Sequence, residues 1–400
     1  MAKFDFNNSR YAKFFESKSN QRFLQTYLDT EGILYTNYRW YLSQGRNDST
    51  VTPTAPSGEA TFSIKSRSLE AAPMMNLRAP LGAGMQLDQK GIEWYTASIP
   101  SFVSQNGLEE SSMEREDKVR RYEMFGNDAD IVAAWTENVQ MMVDSADATM
   151  NWMTAQLMTT GEIDYTGIAR GIQAPIHNAL IPAANKTKAY GDKAWTDPSA
   201  LILTMMAEME DFYRQKWGFG GALKWQFTRN FFRNVFLKND EVKEFVRNYR
   251  ILNDLATVVN KNDPTAAKLM VTPAMWAQAF VDFDGISPIE LVEEKERNIT
   301  NTGDSFVNGW ADNIAVLRPA GDAVKFMHTD NLDQQLYTKY GSSVINKVFA
   351  KTNNGLATLV NTTRNDGEFK KWSTDLMLEA VPALIEFPNH VIVDMSQAKD

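Results

Sequence analysis

The chain has 400 residues, 43% of them hydrophobic and 23% charged, with a formal net charge of -9 and no cysteine. This composition is globular, and the length exceeds one ordinary compact core, so two or more sub-domains are expected. The missing cysteines exclude disulfides, thiol nucleophiles and zinc–thiolate sites, while the acidic balance counts mildly against a dedicated nucleic-acid binder and leaves an acidic enzyme open.

The opening residues, Met1 to Phe6, carry no apolar core of signal-peptide length, and no apolar run approaches about 18 residues. The expectation is a soluble protein made in the cytoplasm. The stretch to about residue 50 is rich in aromatics, among them Phe14, Phe23, Tyr35 and Trp40, without a clean period. It reads as an arm that buries its rings against something else. Residues 47–58 (NDSTVTPTAPSG) are polar and broken by Pro53 and Pro56, as a linker would be. Ala60 to Ile64 alternates like a strand, Leu77 to Gly84 (LRAPLGAG) is irregular, and Gly91 to Val103 returns to β-branched and aromatic residues. Two strand-like arms around an irregular tip predict a long β-hairpin. Two strands cannot bury both faces, so this hairpin needs a neighbour.

The strongest helix is predicted over 128–160. Ile131, Trp135, Val139, Met142, Ala146, Met150, Met153 and Leu157 recur at spacings of three and four, which makes one continuous apolar face. Asn127 is a candidate cap, Asp128 and Asp130 suit the N-terminal dipole, and Gly161 is a stop. Such a helix is roughly 45–50 Å long, a beam rather than an ordinary helix. A second helical block is expected from Asp197-Pro198 through Phe212, another over 231–252, and a further one from Thr272-Pro273 through Phe280. Ile286 to Val292, Ala311 to Leu317 and Leu384 to Val393 read as strands. The fold class is α+β.

Chemistry is sparse. His177, His328 and His390 lie far apart in sequence, whereas a metal or general-base site wants histidine beside carboxylates or other histidines. There is no HExxH, GxSxG or Walker-type loop. Gly218-Phe219-Gly220-Gly221 lacks the full phosphate-loop spacing and reads as a connection between two helices. The run Glu293-Glu294-Lys295-Glu296 reads as a solvated face or subunit contact. No catalytic, cofactor or metal site is assigned, and no enzymatic activity is expected. Between Arg214 and Arg250 basic residues interleave with aromatics, a pattern that can bind single-stranded nucleic acid by phosphate contact and stacking. The favoured alternative is a block with its rings inside and its charges out. Arg229, Arg233 and Lys238 are the candidate basic contacts. The methionine excess on the long helix suits irregular, adaptable packing.

The order of these elements resembles that of tailed-phage major capsid proteins, the Hong-Kong-97-type fold. Local segments look like its lambda-type branch: Ala155 to Ile163 (AQLMTTGEI), Trp195-Thr196-Asp197-Pro198, Ser287 to Val292 (SPIELV), Trp310 to Pro319 (WADNIAVLRP), and Glu379 to Val391. The resemblance covers the chain from about Gly58 onward, and the order of its motifs carries it. It implies an N-terminal arm over 1–57, an extended loop over 58–110, and a peripheral domain over 111–175 with its spine helix. It further implies an axial domain over 176–340 and a return to the peripheral domain over 341–400. The loop tip, with Leu77, Arg78, Pro80, Leu81 and Met85, would contact the neighbouring subunit, and Arg229, Arg233 and Lys238 would face the inside or the axis. The implied function is a virion shell built of hexamers and pentamers around double-stranded DNA, with portal and scaffolding proteins during assembly and a cement protein as a further partner. The same fold also serves nanocompartment shells and other virion components. No cofactor and no membrane are implied.

Overall fold

The structure is a computed structural model. It describes residues 45–48, 52–53, 60–65, 94–108, 128–167, 177–218, 220–252, 271–281, 285–292, 296–300, 303–307, 309–329, 348–352, 357–366 and 369–399. Helices and sheets are both present, and the fold is α+β. The chain forms two compact units. The first comprises residues 1–62, 97–151 and 325–382, and the second residues 63–96, 152–324 and 383–400.

The first unit holds a four-stranded sheet in which every neighbouring pair is antiparallel. Its order is Val348–Thr352, Ala357–Asp366, Phe369–Leu378, Phe102–Leu108. The two central strands are ten residues each and pair in unbroken register from Ala357↔Leu378 to Asp366↔Phe369. The predicted hairpin is partly realised. Ala60–Lys65 and Trp94–Ser98 are neighbours in a three-stranded sheet. Its second arm, expected as one strand through Val103, is broken at Ile99–Ser101. Phe102–Leu108 pairs instead with Phe369–Leu378, beginning at Phe102↔Leu378. Pro100 accounts for the break, since proline cannot donate to a ladder.

The long helix α1 is Asp128–Thr160, the span its periodicity predicts. Along its first unit it is amphipathic: Val139, Met142, Val143, Ala146 and Met150 are buried, while Met141 is 61% exposed. From Trp152 to Thr159 only Gln156 escapes full burial. A helix apolar all round belongs inside a core. Gly161 ends it at φ +78, its amide donating to the Leu157 carbonyl at 2.9 Å. The candidate cap Asn127 lies outside the described residues.

The second unit is built on a five-stranded sheet in the order Ile289–Val292, Leu223–Thr228, Ile314–Pro319, Val391–Ala398, Lys186–Ala189. The outer pairs are parallel and the inner pairs antiparallel. Alternation assigns the faces. Trp225, Phe227, Ala315, Leu317, Val391 and Val393 enter one core with four helices: α2 (Ile202–Trp217), α3 (Arg229–Asn234), α4 (Asp240–Leu252) and α5 (Pro273–Phe280). Each fully buried large ring contributes about 1.5–3 kcal/mol. The rings also meet edge-on: Phe236 and Trp276 have centroids 4.9 Å apart at 89°.

Three local expectations are corrected. The block over 231–252 is not one helix. It is α3, a 3-10 turn Phe236–Lys238, and α4, because Asn239 breaks the run to cap α4 through bonds from the Glu241 and Val242 amides. Asp197-Pro198 does not start α2. Asp197 instead closes a turn onto the Ser199 amide and hydroxyl, and α2 begins at Ile202. Glu241 supplies the missing cap from another helix, accepting from the Leu203 amide at 2.7 Å and the Thr204 hydroxyl at 2.6 Å. Finally, Gly218 to Gly221 joins a helix to a strand, not two helices. Gly218 is the left-handed C-cap of α2, and the next element is Leu223–Thr228, a strand flanked by two others in the sheet.

Candidate functional site

The concentration of buried polar chemistry lies on the other face of the five-stranded sheet. Lys224 stands opposite Arg318, and Glu290 stands opposite Gln226. Two cations opposite each other are unfavourable unless a carboxylate divides them. Glu290 does so, accepting from Lys224 Nζ at 2.6 Å and from Gln226 Nε2 at 2.8 Å. Arg318 is 1% exposed. Its Nε donates to Gln226 Oε1 at 3.0 Å, and one terminal nitrogen donates to the Pro319 and Gly321 carbonyls, each at 2.8 Å.

Burial pushes the Arg318 guanidinium down to about 10, against the pull of Glu290, Glu386 and Asp322. Lys224 is lowered by burial and by Arg318, with Glu290 opposing. Burial raises Glu290, but Lys224, Gln226 and Arg318 more than offset it, and its carboxyl lies below the ordinary range. A lysine lowered beside a carboxylate can mark a catalytic pair. Here each group is already bound within the set, and the chemistry is that of a satisfied strand-registering network.

A buried carboxylate, Glu210 on α2, has a similar task. It accepts from Trp225 Nε1 at 2.7 Å, the Ser287 amide at 2.7 Å and the Ser287 hydroxyl at 2.6 Å. It thereby ties the helix to a sheet strand and to the Ser287-Pro288 turn that leads into the strand Ile289–Val292.

The C-terminus of α1 is held by side chains. The Glu162 amide goes to the Thr160 hydroxyl at 3.1 Å, and the Asp164 amide to Gln156 Oε1 at 2.9 Å. The Met158 carbonyl receives Nε2 of His390 at 2.7 Å. His390 and His177 are both buried. Burial pushes each imidazole down to about 4, and Arg318 adds to the effect at His390. His328 is half-buried. Among the described residues no group of three or more histidine, cysteine or carboxylate residues is placed to hold a metal. No helix among them is long and apolar enough to cross a membrane.

The basic–aromatic block is resolved by burial. Trp217, Trp225, Phe227, Phe231, Phe232 and Phe236 are all in the core, so none of these rings offers a stacking platform. Phe219 lies outside the described residues. Arg229 and Arg233 are exposed on α3, and Lys238 is exposed at the end of the following 3-10 turn. They share one short stretch of the chain. The loop-tip residues Leu77, Arg78, Pro80, Leu81 and Met85, and Glu293, Glu294 and Lys295 of the charged run, lie outside the described residues. Sequence reasoning missed the Lys224–Gln226–Glu290–Arg318 network and Glu210. Period-two alternation of Lys224, Trp225, Gln226 and Phe227 was the available signal, but it sat inside a block read as helical.

No family model matches the chain, and no curated protein matches it. Among solved structures it is similar to a protein of an Escherichia coli CFT073 prophage described as a capsid protein, with 12% identity, 93% of this chain and 98% of that one covered, and a TM-score of 0.47. It is likewise similar to a phage-related protein from Bordetella bronchiseptica, with 13% identity, 93% and 96% coverage and a TM-score of 0.44. A third is the capsid of cyanophage A-1(L), with 11% identity, 89% and 91% coverage and a TM-score of 0.41. Overlaps this loose assign no function.

Proposed function

We propose that the chain is the major capsid subunit of a tailed phage, a structural protein that assembles as hexamers and pentamers into an icosahedral shell around double-stranded DNA. The observation that carries this reading is the passage of a 33-residue helix out of one compact unit and into another. The chain later returns to the first unit to complete a sheet begun before the helix. In this reading the first unit serves as the peripheral domain and the second as the axial domain.

In this reading the segment between the strands Ala60–Lys65 and Trp94–Ser98 is the extended loop. Leu77, Arg78, Pro80, Leu81 and Met85 contact the next subunit, and Arg229, Arg233 and Lys238 face the axis or the packaged DNA. Portal and scaffolding proteins are the assembly partners, a cement protein is a further one, and the host cytoplasm is the site of synthesis.

Electron microscopy of the full chain, expressed alone and together with the genes beside it, tests the proposal. Closed shells or five- and six-membered rings are expected. Monomers in both preparations overturn it, and shells filled with a cargo enzyme move the chain to the nanocompartment class. Deleting residues 77–84 should leave a folded subunit that assembles poorly; normal shells from that deletion remove the role given to the loop.

A further inference from the structure

Met158 lies in the last turn of α1, where a carbonyl has no helical amide to receive. The amide four residues on, that of Glu162, is engaged by the Thr160 hydroxyl instead. The Met158 carbonyl is therefore left to His390, which lies between the 3-10 turn Phe387–Asn389 and the strand Val391–Ala398. His390 is 1% exposed. Because Nε2 donates to a carbonyl, the neutral ring carries its proton there and leaves Nδ1 bare.

We propose that His390 is an acid-released latch, which in its neutral form ties the C-terminal strand to the end of the long helix and which loosens that joint when it takes a second proton. The groups that face it explain the direction. Burial dominates; from the helix comes the Met158 carbonyl, whose hydrogen bond favours the charged ring and opposes the shift without offsetting it. The Thr159 hydroxyl beside it is turned to the Ala155 carbonyl at 2.8 Å. From the strand Ile314–Pro319 comes Arg318, a fixed positive charge. From its own segment comes Glu386, whose charge acts on Arg318 along with those of Glu290 and Asp322. A second proton on the ring therefore adds charge to a buried site beside a cation.

The imidazole sits at about 4 in the folded protein, against roughly 6.5 in an unfolded chain. Its folded value is depressed, so its stabilisation is complete above the unfolded value and is lost as pH falls towards the folded one. At pH 4.5 this corresponds to a roughly 50- to 100-fold loss in the folding constant relative to neutral pH.

The proposal stands whether or not the chain builds shells. Its test compares urea unfolding of the full chain and of His390→Gln between pH 7.5 and 4.5. Glutamine can still donate to the Met158 carbonyl but does not titrate. His177 is common to both chains and cancels. The expected result is a variant whose folding constant falls by tens-fold less than that of the parent; equal falls overturn the latch. Should the variant not fold, hydrogen–deuterium exchange of the unaltered chain decides, after correction for intrinsic rates. Opening at acid pH should concentrate in peptide 155–163 relative to peptide 203–213. Equal opening of the two peptides, or none, overturns it.

Discussion

The two main sheets reach stability by different routes. The four-stranded sheet of the first unit is built from neighbouring antiparallel strands, two of them ten residues long, and takes only Phe102–Leu108 from far away in the chain. Its ladder is mostly local. The five-stranded sheet of the second unit collects strands from residues 186 to 398, in an order that follows nothing in the sequence, with parallel pairs at both edges. Non-local pairing needs something besides the ladder to fix which strand lies where. The polar face supplies it: Lys224, Gln226, Glu290 and Arg318 match one another only in this register. The second unit therefore concentrates its specificity in a few polar groups around the buried Arg318, and the first spreads its own along the backbone.

The largest effects should come from cutting that network. Glu290→Ala leaves Lys224 and Arg318 facing each other without a shared carboxylate, and about 3–5 kcal/mol of stability should be lost in denaturant titration. Glu210→Ala strands the Trp225 indole and both Ser287 donors, and should cost about 3 kcal/mol by the same measurement. A loss below about 1 kcal/mol in either variant would mean that the ladder alone sets the register. Acid should separate the units next. His177 and His390 both lie in the second unit with their imidazoles pushed down to about 4. Hydrogen exchange should show the second unit weakening as pH falls from about 6.5 towards 4.

Smaller effects lie at the helix ends. Gly161→Ala places a Cβ at φ +78 and 2.9 Å from Ile181 Cδ1, and should cost about 1–2 kcal/mol in thermal unfolding. Glu241→Ala uncaps α2 and should cost about 1 kcal/mol. Arg233→Ala, on an exposed position of α3, should change stability by less than about 0.5 kcal/mol; a larger loss would show that the basic stretch is structural.

Periodicity carried the helices that are amphipathic and uninterrupted. Residues 128–160 announce α1 because Val139, Met142, Ala146 and Met150 repeat on one face. Thr272-Pro273 announces α5, and Thr272 does accept from the Met275 amide. The strands Val348–Thr352 and Ala357–Asp366 were not legible, since a run such as Asn361-Thr362-Thr363-Arg364-Asn365-Asp366 has no apolar alternation and its pairing comes from a partner strand. Leu223–Thr228 was hidden for a different reason. Its alternation of Lys224 and Gln226 with Trp225 and Phe227 is short and sits inside a basic–aromatic block whose neighbouring segments are helical.

By itself the sequence determined the mixed class, the beam-like helix and its glycine stop, because these depend on residues within a few positions of one another. The tertiary structure alone decided that the second arm of the hairpin divides between two sheets. It also decided that Arg318 lies among the charges of Glu290, Glu386 and Asp322, and that His390 completes the end of a helix 232 residues away. Those pairings are long-range, and electrostatic and hydrogen-bond complementarity leaves no periodic trace in a chain until folding brings the partners together.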